Sequence, residues 1–106
     1  MRMWNVNPKI LCRNHLLGEH VECHMFVGCI RKKKNLKGYV EKGLVEIHNL
    51  RKRHKKLAEE MEKRKMDHKS PLPKFRTSKK GKINVKENIK ELKRRCEKCR
   101  SNIVRK

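Results

Sequence analysis

The sequence predicts an all-α chain, a compact single domain of about three main amphipathic helices spanning residues 1–106. Apolar residues recur at helical spacing in three separate stretches, no segment alternates convincingly as a strand, and 106 residues suit one modest core. The elements follow in order. Pro8 blocks an early helix, and Asn14 is the predicted N-cap of the first one. Leu16, Cys23, Val27 and Ile30 then form a stripe, widened by Leu17, Val21 and Gly28, in a helix running to about Lys34. Asn35 to Gly43 reads as a loop. Leu44, Ile47, Leu50, His54, Leu57, Ala58 and Met61 predict a second helix over 44–65, whose other face carries Arg51, Lys52, Arg53, Lys55, Lys56 and Lys63. Residues 66–83, with Pro71, Pro73 and Gly81, cannot be one regular element; they form a basic loop that either lies across nucleic acid or is disordered. Asn84-Val85-Lys86-Glu87 reads as a capping box opening a third helix over 85–104 with the stripe Val85, Ile89, Leu92, Cys96, Cys99 and Ile103. There is no internal repeat and no phosphate-binding glycine motif.

Composition bounds the function. Lys and Arg number 32 against 11 Asp and Glu, giving a formal charge of +21, a balance that favours phosphate backbones over small acidic substrates. The charge is uneven. Residues 1–30 hold only Arg2, Lys9 and Arg13 against Glu19 and Glu22, so the rest of the chain supplies the grip. No apolar run is long enough for a leader or a membrane span. Five cysteines, an odd count, argue against a complete disulfide framework and for a reducing compartment. The expectation is a cytoplasmic, DNA-associated monomer that does not bind membranes.

The almost neutral opening carries the chemistry. A chain-terminal α-amine titrates near 8 and a lysine near 10.4, so only the former is appreciably nucleophilic at neutral pH. Amines attack carbonyl-like carbons and form Schiff bases, and on DNA the matching centre is the sugar C1′ that bears a base. Aminopeptidase trimming of the initiator generally needs a small second residue; Arg2 is large, so Met1 is expected to be retained and to carry the amine. Arg2 beside it would hold a phosphate and depress the amine's pKa. His15, Glu19 and Glu22 lie at i, i+4 and i+7 on one helix face. A carboxylate there stabilises the positive charge that develops as a base departs and shuttles protons in the imine steps. Glu22 is the first candidate and Glu19 the second. His15, at the helix start, is placed to donate to a phosphate.

Met1-Arg2, His15-Leu16 and Glu19-His20-Val21-Glu22 resemble the start of the pyrimidine-dimer DNA glycosylases, the phage endonuclease V family. Leu50-Arg51-Lys52-Arg53, through Glu59-Glu60 to Lys63-Arg64, resembles that family's central basic helix. The two matches together cover about residues 1–66. The resemblance implies a bifunctional DNA glycosylase and abasic-site lyase acting on UV pyrimidine dimers in double-stranded DNA. It places the catalytic amine at Met1 and the essential glutamate at Glu22, with Arg2 after the nucleophile and His15 at the helix start. Family members lose their initiator Met; relative to the motif this chain starts one residue earlier, so Met1 falls where the processed terminus falls. Contact with the substrate is expected from Arg2, Arg13, His15, Glu19, Arg51 and Arg53, with no cofactor and no metal.

The sequence also departs from the family. Val21 and Met25 stand where the family carries phosphate-gripping arginines; Arg13, His24 and Arg31 are the available substitutes. The family's aromatic C-terminal tail is replaced by a basic helix. Cys12, His15, His20, Cys23 and His24 cluster in sequence, and Cys96-Glu97-Lys98-Cys99 is a C-x-x-C of zinc-ligand type. That C-x-x-C falls on an apolar stripe, where cysteine packs as a small hydrophobe; a metal or disulfide role stays open beside this preferred reading. Two other classes remain: a non-enzymatic nucleic-acid-binding module, and a small zinc-dependent nuclease or zinc-binding regulator.

Overall fold

The computed structural model describes residues 1–67 and 71–104. It is all-α, with no strand among the described residues. Its elements are α1 (Arg13–Arg31), α2 (Lys37–Glu41), α3 (Leu50–Lys63), α4 (Val85–Arg95) and α5 (Glu97–Val104), with 3-10 turns at Pro8–Ile10 and Ile47–Asn49. None of these helices is long and apolar enough to cross a membrane.

The α1 helix starts at Arg13, one residue before the predicted cap. Pro8 fixes a 3-10 turn that leaves Cys12 extended, and the Cys12 Sγ accepts the His15 backbone N–H at 3.4 Å. The thiol thus takes the cap position predicted for Asn14. The helix ends at Arg31, short of Lys34, because Lys33 turns left-handed at φ 58°. There Lys33 N–H bonds to Ile30 O and Lys34 N–H to Cys29 O, the pairing of a Schellman motif. The α3 helix stops at Lys63 in the same way, through Lys65 at φ 60°. Between Asn35 and Gly43, the expected loop holds the single turn of α2.

The predicted second helix begins six residues late. Leu44 O accepts from Met3 N–H at 2.7 Å and Ile47 N–H donates to Lys80 O at 3.0 Å, so backbone groups that a helical turn needs are engaged sideways. Buried Glu46 reinforces this junction by accepting Ile83 N–H at 2.7 Å and the Asn49 side-chain amide at 2.7 Å. The described part of the predicted 66–83 loop, residues 66–67 and 71–83, is irregular, and residues 68–70 lie outside the described residues. Asn84 caps α4 as expected, accepting Glu87 N–H at 3.1 Å. The predicted continuous third helix is broken at Cys96 (φ −129°, ψ 110°), where its Sγ accepts Cys99 N–H at 3.4 Å and opens α5. A sulfur caps both α1 and α5.

The core forms mainly where α1 packs on α3. Leu16, Cys23, Phe26 and Val27 meet Leu50, Leu57 and Met61, all nearly sealed from solvent. Each buried side chain of this kind contributes roughly 1.5–3 kcal/mol relative to exposure. The opening residues Met3, Trp4, Val6 and Leu11 are buried too, as are Leu92 of α4 and Cys99 of α5. The predicted widening of the α1 stripe does not occur. Leu17, Val21 and Met25 remain 40%, 48% and 49% exposed, an apolar ridge on the outer face of α1.

Gly81 is required by close approach. Its φ is +96°, and a Cβ built there would lie 2.0 Å from Val45 O, part of a backbone that cannot swing aside. Gly81→Ala should destabilise the protein by more than about 1 kcal/mol, read as a lower urea midpoint with unchanged slope.

Candidate active site

The α1 face predicted from the His15, Glu19 and Glu22 spacing does form one wall of a cleft of about 420 Å³. Met1, Arg2 and Trp4 form a second wall, and Arg95 closes the cleft from α4. The opening segment is held in place by the C-terminal part of the chain. Asn88 of α4 donates its amide to Trp4 O at 2.7 Å and accepts from the Arg2 guanidinium at 2.9 Å. The same guanidinium lies 4.2 Å over the Trp4 ring, a cation–π contact.

Glu22 is half-buried in this cleft. Burial pushes its carboxyl above the usual range. A hydrogen bond from the Arg2 N–H and the charge of the Met1 α-amine oppose that shift, nearby Glu19 adds to it, and the Arg2 guanidinium opposes it. The amine and the carboxylate that the sequence singled out therefore line one cleft. The Arg2 and Arg95 cations also influence each other. Two arginines beside a concave site make it attractive to a phosphate.

Glu19 lines the cleft, but its charge is committed elsewhere. Arg53 of α3 donates from Nε to Glu19 Oε2 at 2.6 Å and from Nη2 to Oε1 at 2.8 Å, and from Nη1 to Val6 O. Arg53 is 3% exposed and Glu19 1%. Arg53, expected from the sequence to contact substrate, is instead found sealed in this ion pair. Arg51 is exposed, yet it donates to Leu72 O and Pro73 O and lies 5.3 Å over the Phe75 ring, fastening residues 72–75 to α3. Arg13 is exposed at the start of α1.

His15 lines the cleft with its ring edge-on to Trp4, but its Nδ1 faces sulfur, 3.2 Å from Cys12 Sγ and 3.6 Å from Cys99 Sγ. Burial, and then the Arg95 charge, lower its pKa against an opposing pull from Glu19, and the net shift favours the neutral ring. The sequence cluster of cysteines and histidines separates in space. Cys12 and His15 join Cys96 and Cys99; His20 and His24 join His54 of α3; Cys23 enters the core. Arg95, Trp4 and Asn88 were not anticipated as site residues. The long-range contacts that place α4 here have no local sequence signal.

A second cavity, about 980 Å³, lies at the far end of α1 and is lined by Lys33, Lys34, Lys37, Lys74, Arg76 and Lys80 among others. With the exposed Lys52, Lys55 and Lys56 of α3 it extends the basic surface well beyond the cleft.

The sequence profile of the pyrimidine dimer DNA glycosylases matches residues 1–74. The chain belongs to that family. Comparison with curated proteins finds no match, and neither does comparison with solved structures. Membership makes the protein a DNA-repair glycosylase family member with a DNA substrate. The matched segment contains Met1, Arg2, His15, Glu19 and Glu22, whereas Asn88 and Arg95 come from outside it.

The buried ion pair yields a stability prediction. Arg53→Met leaves Glu19 charged and unpaired in the interior, which should cost about 3–5 kcal/mol. Adding Glu19→Leu to that variant should recover much of the loss, and urea titration of both variants measures the difference.

Proposed function

We propose that this member of the pyrimidine dimer glycosylase family is a bifunctional enzyme, removing the damaged base and then cleaving the strand through a Schiff base on the α-amine of Met1. The observation that carries this reading is the shared cleft lined by both Met1 and Glu22.

The unprotonated amine attacks C1′ of a pyrimidine-dimer nucleotide. The C1′–N glycosidic bond breaks, its electron pair leaves with the base, and the base takes up a proton. Loss of the amine proton and opening of the sugar ring give a protonated imine between Met1 and C1′. That imine acidifies C2′; removal of a C2′ proton expels the 3′ phosphate by β-elimination, and water then hydrolyses the imine and frees the amine. Glu22 supports the positive charge at C1′ and carries the protons. Arg2 and Arg95 steer the phosphates flanking the lesion, while the exposed lysines of α3 and the second basic cavity hold the duplex at a distance. Weakened stacking at a damaged base lowers the cost of extruding a nucleotide into so small a cleft.

Sodium borohydride with UV-irradiated DNA should trap a covalent adduct, and peptide mass analysis should place it on Met1. An added N-terminal extension should abolish both adduct and nicking. Irradiated DNA that gives neither adduct nor nicking would leave only a binding protein. Glu22→Gln should reduce nicking by about 100-fold or more.

The carboxylate's raised pKa sets two further expectations. Activity that needs ionised Glu22 should fall, as pH drops, at a value above the ordinary glutamate range near 4.3. At neutral pH the ionised side chain opposes folding, since its folded pKa exceeds its unfolded one, so Glu22→Gln should melt no earlier than the parent.

A further inference from the structure

We infer that Cys12, His15, Cys96 and Cys99 form a structural zinc site joining the start of α1 to α5. The sequence alone favours a core position for the C-x-x-C and leaves a metal or disulfide role open. Folding places it beside a second pair of the same spacing, Cys12-x-x-His15, although Cys12 and Cys96 are 84 positions apart. The three sulfurs and the His15 Nδ1 all lie within 4.8 Å of one another.

The distances fit a tetrahedral ion. Zinc–sulfur bonds near 2.3 Å and zinc–nitrogen bonds near 2.0–2.1 Å give tetrahedron edges of about 3.8 Å between sulfurs and about 3.6 Å from sulfur to nitrogen. The Cys96–Cys12 sulfur separation is 3.7 Å, and Cys99 Sγ lies 3.6 Å from His15 Nδ1. A third edge of the six, Cys12 Sγ to His15 Nδ1 at 3.2 Å, needs only a small outward shift, and the other three lie within 4.8 Å. Oxidation to a disulfide would need sulfurs in covalent contact at about 2.05 Å and would leave the third thiol and the imidazole unexplained.

The surroundings suit thiolates. Backbone N–H groups point at all three sulfurs: His15 to Cys12 and Cys99 to Cys96, each at 3.4 Å, and Cys12 to Cys99 at 3.2 Å. Such outer hydrogen bonds orient metal-bound sulfur and offset its charge. They also explain why cysteines, poor helix caps, stand at both helix starts. Three thiolates with Zn²⁺ leave a net charge of −1, and the cations Arg13, Arg95, Lys98 and Arg100 adjoin the ligands in sequence. Binding releases the three thiol protons to solvent.

Four protein ligands fill the coordination sphere, so this ion has no open position for water or substrate. Its role is to fasten α5, and with it Arg95 and Asn88 of α4, to the wall of the cleft. Half of the ligand set lies in the family-matched segment and half beyond it. The inference stands whether or not the glycosylase–lyase reading does.

Full-length wild-type protein, purified without chelator, should contain one zinc per chain by elemental analysis and native mass spectrometry. Replacement by cobalt should give a thiolate charge-transfer band and tetrahedral d–d bands, and X-ray absorption should resolve three sulfurs and one nitrogen. Cys96→Ser and Cys99→Ser should lose the metal or bind it much more weakly, while Cys29→Ser, outside the cluster, should retain it. Stripping the ion with a mercurial should lower the melting temperature. Metal-free wild type that gives no cobalt spectrum overturns the proposal. So does a chain lighter by two hydrogens that regains them on reduction, which indicates a disulfide. Metal that survives Cys96→Ser but is lost in His24→Ala also overturns it, by assigning the ion to the His20, His24 and His54 trio. The wild-type measurements decide the question even if a cysteine variant fails to fold.

Discussion

Much of this molecule is arranged around one buried ion pair. The Glu19 carboxylate and Arg53 guanidinium meet face to face between α1 and α3, where neither reaches solvent. Two charges in such a place are tolerated only when their hydrogen-bonding capacity is met. The pair meets that demand by enlisting the backbone: Arg53 also donates to Val6 O, and Glu19 Oε2 accepts from Asn5 N–H at 3.4 Å. The opening segment is thereby fixed against the helix pair, and Met1 and Arg2, a few residues earlier, are brought beside Glu22. The pair positions the cleft, and the Glu19 charge also bears on Glu22 within it.

How much of this was legible in the sequence depended on whether the cause was local. Helix periodicity marked the cores of α1, α3 and α4, and the Asn84 cap was readable because it involves residues three apart. The α1 spacing also placed His15, Glu19 and Glu22 on one face correctly. Helix ends were misjudged where a lysine adopted a glycine-like φ at Lys33 and Lys65, a conformation that composition does not signal. The break at Cys96 was hidden because an unbroken apolar stripe runs through it; only the sulfur's hydrogen bond reveals a new start. The same limit applies to charge. A run such as Leu50-Arg51-Lys52-Arg53 looks uniformly basic, yet neighbours distant in sequence assign Arg51 to the loop at 72–75, Arg53 to the interior and Lys52 to solvent.

The family-matched segment and the C-terminal residues divide the labour unevenly. The former contributes most of the groups that line the cleft, and the latter supplies Arg95 and the amide of Asn88 that grips both Arg2 and Trp4. Val21 and Met25 are exposed and form, with Leu17, an apolar ridge on α1. The cationic character of the cleft rests instead on Arg2 and on a residue contributed from outside the family segment.

The anchoring of residues 2–4 has a kinetic meaning. Chain starts ordinarily fray, and a nucleophile on a fraying segment samples many positions for each productive one. Here Met3 N–H is bonded to Leu44 O, Trp4 O to Asn88 and the Arg2 side chain to Asn88 and Trp4, all within three residues of Met1. Folding has already spent the entropy of confining that group. For the nucleophile proposed at Met1, such confinement would raise its effective molarity toward a ligand held in the cleft before that ligand arrives.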